Sequence, residues 1–166
     1  EHIPFVSRIT TAWPTATNQA SVAIGGKAAG TVPRLDARYD WIGWNFNPSA
    51  LGNVSFPVVS FGDGCSPGGS NVNGAVALVT NCTSCDYFSQ VKAAQRANAT
   101  VLVVIAAEGA SLVDMNCIGN QCNDVSVGMA ATMIPWADGQ RILSAIARGE
   151  AVRMSFSTVA SRGTDF

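Results

Sequence analysis

Two nearly continuous apolar runs, AVALVT over residues 75–80 and TVLVVIAA over residues 100–107, do most to limit what this chain can fold into. Neither alternates polar with apolar residues as a half-exposed strand does, so each reads as a strand covered on both faces. Between them, residues 86–97 predict a helix: Tyr87, Val91 and Ala94 recur at helical spacing on one face, in an Ala-rich stretch without Gly or Pro. Asn98 follows where a helix end turns left-handed, a conformation Asn tolerates better than most residues. A strand, a helix and a strand in this order make a crossover unit, whose strands are parallel and whose connection is right-handed.

The remaining elements are shorter. Residues 21–24, closed by Gly25 and Gly26, and residues 54–60 read as strands bounded by turn residues. Pro57 lies inside the second of these and points to a strand edge or a bulge. Residues 62–74, rich in Gly, Ser, Pro and Asn, are a loop. The segment MIPW ends another short strand. It leads into a helix over residues 138–148, in which Ile142, Leu143 and Ile146 share a face and Gly149 is the stop. In the last strand Val152, Met154 and Phe156 alternate with Arg153 and Ser155, so one face is wet. The stretch carrying Trp41, Trp44 and Phe46 has no sustained period and reads as an irregular connection or short strands. No internal repeat is present.

Residues 1–166 have the length of one domain with its own core. Hydrophobic residues make up 48% and charged residues 13%, the balance of a folded chain whose surface relies on uncharged polar side chains. Net charge is −1 and the 10 Lys and Arg are scattered, which excludes a nucleic-acid partner on electrostatic grounds. No apolar run approaches the ~20 residues that span a bilayer, so no membrane span is expected. The 5 cysteines, several in Gly, Ser and Asn-rich sequence, favour disulfides in an oxidising compartment. Sequons at Asn53, Asn81 and Asn98 agree with a secreted, extracellular glycoprotein.

Three blocks, in this order and spacing, resemble the protease-associated (PA) domain, an accessory module of subtilisin-like proteases, zinc aminopeptidases and sorting receptors. They are GAVALV at residues 74–79, CDYFSQVKAAQRANA at residues 85–99, and IPWADGQRIL at residues 134–143. The resembling part spans residues 74–157. It departs from the family in lacking the Arg-Gly pair before the cysteine, where Asn81 and Cys82 stand, and in having Asn98 for the Gly at the helix end. The resemblance implies a mixed α/β fold, a closed β-sandwich or barrel-like core flanked by two or more short helices. It implies a docking, gating or sorting role with no catalytic residues. It also implies a disulfide between Cys65 and Cys85, which leaves Cys117 and Cys122 to close a small loop and Cys82 as the free thiol.

Other chemistries have candidate residues in the chain as well. The Cys82-Thr-Ser-Cys85 pair sits at a strand-to-helix junction, where a redox pair would gain from the helix N-terminus. Cys82, Cys85, Cys117 and Cys122 also have spacings acceptable for zinc, although disulfides win in an oxidising compartment. The one histidine, His2, cannot supply both a triad base and a metal site. Asp36, Asp40, Asp63, Glu108, Asp114, Asp124 and Asp138 stand in no motif that raises them above surface acids. Residues 114–124 lack the calcium-loop pattern of an EF-hand; a disulfide-pinned surface loop carrying Asp114, Asn116, Asn120 and Asp124 is the candidate recognition surface. Trp41 and Trp44 are three apart and are the candidate platform for peptide or sugar, with core packing as the commoner fate of Trp. Trp136 is expected to pack near the second helix. The reading is a secreted protein- or peptide-binding module without catalytic residues or cofactors. Its alternatives are a substrate-docking region of a secreted peptidase and a carbohydrate-binding module.

Overall fold

A computed structural model describes residues 16–32, 54–66, 69–80, 83–112 and 130–160. Seven strands are placed: β1 (Ala16–Ile24), β2 (Lys27–Val32), β3 (Val54–Ser60), β4 (Val76–Thr80), β5 (Val101–Ile105), β6 (Ala130–Ile134) and β7 (Val152–Ala160). Among the described residues two helices accompany them, α1 (Tyr87–Arg96) and α2 (Trp136–Ala147). The strands form one sheet in the order β2-β1-β7-β3-β4-β5-β6. β4, β5 and β6 run parallel to one another and to β3, whereas β7 is antiparallel to both β3 and β1.

The strand–helix–strand order and the parallel pairing of the crossover are as the sequence predicts. In β4, Val76, Ala77, Leu78 and Val79 are all buried, as is every residue of β5. Strand register places Val79 beside Val104 on one face and Thr80 beside Ile105 on the other. The first face meets α1: a Cβ at Gly64 would touch both Val79 Cγ1, at 3.0 Å, and Gln90 Cγ, at 3.3 Å. The second meets α2, because a Cβ at Gly139 would overlap Ile105, with Cγ1 only 2.6 Å away. The two helices therefore cover opposite faces of the parallel strands. Only a residue without a side chain lets α2 come this close to β5.

Local chemistry sets the helix ends. The Asp86 carboxylate accepts from the Ser89 N–H at 2.8 Å, capping α1 where the helix dipole favours an anion. At the other end Asn98 has φ 58, and the N–H groups of Asn98 and Ala99 donate to the carbonyls of Gln95 and Ala94. These two bonds make a Schellman motif, with Asn98 at the position usually taken by glycine. Helix α2 starts at Trp136, two residues before the expected Asp138, directly after Pro135, whose φ of −59° is already that of a helix entrance.

Elsewhere the structure departs from expectation. Gly25 and Gly26 both have positive φ and form a two-residue hairpin turn, so that β1 pairs with β2, a strand the sequence pattern does not reveal. β3 lies inside the strand order and is not bulged at Pro57, although each of its halves pairs on one side only. Its first half, Val54 to Pro57, pairs with β7, and its second half, Val58 to Ser60, pairs with β4. Pro57, which has no N–H to give a ladder, stands where the strand changes neighbours. The closed core expected from the resemblance is not closed among the described residues: the sheet is open, with β2 and β6 at its edges. Across the antiparallel half, Val22, Met154 and Phe56 lie in one row, with Val22 and Met154 buried. Arg153 points to the exposed face, where its guanidinium donates to Ser55 O at 3.0 Å and Ser55 Oγ at 3.2 Å. That is the wet face expected of the last strand.

Candidate interaction surface

Parallel strands gather the loops that follow them at one edge of a sheet, where α/β proteins usually place their binding sites. Here the edge is made by residues 61–66 after β3, Cys85 and Asp86 leading into α1, residues 106–112 after β5, and Pro135 and Trp136 leading into α2.

The loop after β3 is held from several directions. The Phe61 N–H donates to Leu78 O at 2.8 Å and the Thr80 N–H to Gly62 O at 3.0 Å, which extends the β3–β4 pairing past the strands. Asp63 folds the next turn by accepting from the Cys65 N–H at 2.8 Å and the Ser66 N–H at 3.3 Å. Gln90 is 1% exposed, and its Nε2 donates to Asp63 O at 2.7 Å and Thr80 O at 3.3 Å, so a buried amide of α1 ties the loop to β4. A disulfide between Cys65 and Cys85, with Cα atoms 5.7 Å apart, joins the same loop to the residue before the α1 cap. Pairing of Cys85 with Cys65 removes the thiolate that either zinc ligation or a Cys82–Cys85 redox couple would need.

Among the described residues, the outward side of this edge is exposed. Residues 107–111 are all exposed, and Trp136, at 38%, is the exposed large hydrophobic residue among those described. Trp136 is the first residue of α2, at the second helix as expected, and a good part of its side chain remains exposed. No sequence signal marked it, because exposure depends on where neighbouring loops end.

Among the described residues no three His, Cys, Asp or Glu side chains converge as metal ligands. Of the seven acids considered, Asp63 serves the turn, Asp138 pairs with Arg141 at 3.5 Å, and Glu108 is exposed. Trp41, Trp44, Asp114, Asn116, Asn120 and Asp124 lie outside the described residues, as do Cys82, Cys117, Cys122, Asn53, Asn81, Asp36, Asp40 and His2. The described chain stops at Leu112, beyond the carboxyl end of β5, and resumes at Ala130, at the amino end of β6. Asn98 is exposed at the opposite, amino-terminal edge of the parallel strands.

No protein-family model matches the sequence, and no curated protein matches it. Solved structures do match. An aminopeptidase from Aneurinibacillus sp. strain AM-1 superposes with a TM-score of 0.54 at 13% identity, over 96% of this chain and 39% of that one. A zinc aminopeptidase from Bacillus subtilis gives 0.55 at 14% identity, over 97% and 38%. The M28 peptidase precursor from Shewanella amazonensis SB2B gives 0.54 at 14% identity, over 86% and 36%. This chain thus spans well under half of each peptidase, and identities this low speak to fold alone. The superposed region is the one containing the PA domain, so the chain has a PA-like fold.

Proposed function

We propose that this chain is a non-catalytic, extracellular interaction domain that binds a protein or peptide partner at the carboxyl edge of its parallel strands. One observation carries the reading. The backbone of that edge is held by a disulfide, a buried amide and an Asx turn, while residues 107–111 and Trp136 face solvent. A preorganised backbone lowers the ordering cost of association, and an exposed Trp is the side chain most often found as a binding anchor. The disulfide supports an oxidising compartment. No described helix is long and apolar enough to cross a membrane.

A second reading is that the chain is the substrate-docking region of a secreted peptidase. It is favoured by coverage of only 36% to 39% of the peptidases it superposes on. A peptide-display library panned against the disulfide-bonded chain tests the main proposal. Selected peptides should bind with affinity that falls at least tenfold in the W136A variant, whose fold is checked by circular dichroism. Peptides indifferent to W136A would remove this edge from consideration. Turnover of any substrate abolished by a point change in the chain would end the non-catalytic reading altogether.

A further inference from the structure

The residue at the end of α1 does one thing that a helix cap alone does not require. Asn98 stands at the left-handed position of the Schellman motif, where glycine adopts the needed φ without steric cost and is the usual occupant. Asparagine is the more costly choice for that turn. What it adds is a side-chain amide in the sequence Asn98-Ala99-Thr100, the acceptor pattern for N-linked glycan. We infer that Asn98 is glycosylated, and that its glycan covers the amino-terminal edge of the parallel strands.

The geometry allows this without loss to the fold. Asn98 is exposed, and its side-chain amide holds no hydrogen bond among the described residues. Its backbone is fixed: the N–H donates to Gln95 O at 3.0 Å and the carbonyl accepts from the Gly74 N–H at 2.9 Å. Thr100 Oγ1 donates to Ala75 O at 2.9 Å and so has a bonded place in the fold as well as its role in the sequon. A sugar on Asn98 therefore stands on a fixed backbone and displaces no side-chain hydrogen bond among the described residues. Transfer forms a bond between Asn98 Nδ2 and the anomeric carbon of a lipid-linked oligosaccharide diphosphate. The anomeric carbon–oxygen bond breaks, the lipid diphosphate leaves, and the amide loses one proton.

Position gives the modification its consequence. Helix α1 runs back from the disulfide edge to the amino edge, and its 10 residues separate the two by about 15 Å at 1.5 Å per residue. Asp86, beside Cys85, lies at one end and Asn98 at the other, so a bulky, solvated group on Asn98 blocks approach at the amino edge.

The inference rests on the extracellular reading, and one experiment separates the two. Protein from its native source is mapped by mass spectrometry without reduction, before and after treatment with peptide-N-glycosidase F. The expected result is a linked Cys65–Cys85 peptide together with an Asn98 peptide that appears only after the glycosidase, converted to aspartate. A linked disulfide with Asn98 recovered mainly unmodified would overturn the glycan and leave the compartment standing. Free thiols at Cys65 and Cys85 with unmodified Asn98 would overturn both. In a eukaryotic secreting host, N98G should lose the mass of one glycan while its thermal midpoint, compared after deglycosylation, does not fall. Retention of the full mass in N98G would show that the sugar lies elsewhere.

Discussion

The contact between α2 and β5 gives the sharpest test of the packing. A methyl group at Gly139 would overlap three atoms of Ile105, a β-branched side chain that is 2% exposed and has little freedom to swing aside. Overpacking of this kind costs about 1–3 kcal/mol. The same change in a helix interior recovers about 1 kcal/mol of propensity, so G139A should lose on the order of 0–2 kcal/mol net. I105A alone should cost about 2–5 kcal/mol through the cavity it opens. In the double variant the new methyl projects into that cavity, so the clash disappears and the propensity gain remains. The double-mutant cycle, measured by urea denaturation followed by circular dichroism, should therefore show a favourable coupling of about 1 kcal/mol or more between the two sites. Strict additivity, or stabilisation in G139A alone by the full propensity gain, would mean that α2 is not pressed against Ile105 and would refute the opposite-face arrangement.

Three further outcomes are expected. Removing the disulfide by C65S/C85S should cost about 3 kcal/mol in denaturation experiments, the chain-entropy value for a sequence separation of 20; no loss would mean that the bond is dispensable to the edge. N98A should destabilise by about 1–2 kcal/mol because alanine resists the left-handed conformation, whereas N98G should not, and equal effects of the two would dismiss the Schellman reading. D86A should cost about 1 kcal/mol through the lost cap to Ser89, seen as a lower thermal midpoint; an unchanged midpoint would show that the cap is redundant with the neighbouring disulfide.

The legibility of the chain follows the range of the interactions. The elements of the crossover unit and the turn at Asn98 were readable because each depends on residues a few positions apart, where periodicity and backbone preference act directly; the cap at Asp86 was not singled out. The hairpin partner β2 escaped notice because Lys27–Val32 carries neither a sustained apolar run nor clear alternation; its pairing comes from the Gly25-Gly26 turn and from β1. Of the candidate site, the loop after β3 was recognised as a loop, and the Cys65–Cys85 pair came only from family resemblance. The exposed Trp136 and the tether through Gln90 were missed, since both depend on which loops meet beyond strands far apart in sequence.

By itself, then, the sequence determined a parallel strand pair bridged by a capped helix, an uncharged-polar surface and the sequon at Asn98. The tertiary structure decided that β3 divides its pairing between β7 and β4 at Pro57, that the sheet stays open among the described residues, and that α2 lies against Ile105. Local order follows from bond rotations and side-chain spacing within a few residues. Strand neighbours and helix contacts are chosen by which distant apolar surfaces exclude water together, and no short stretch of sequence states that choice.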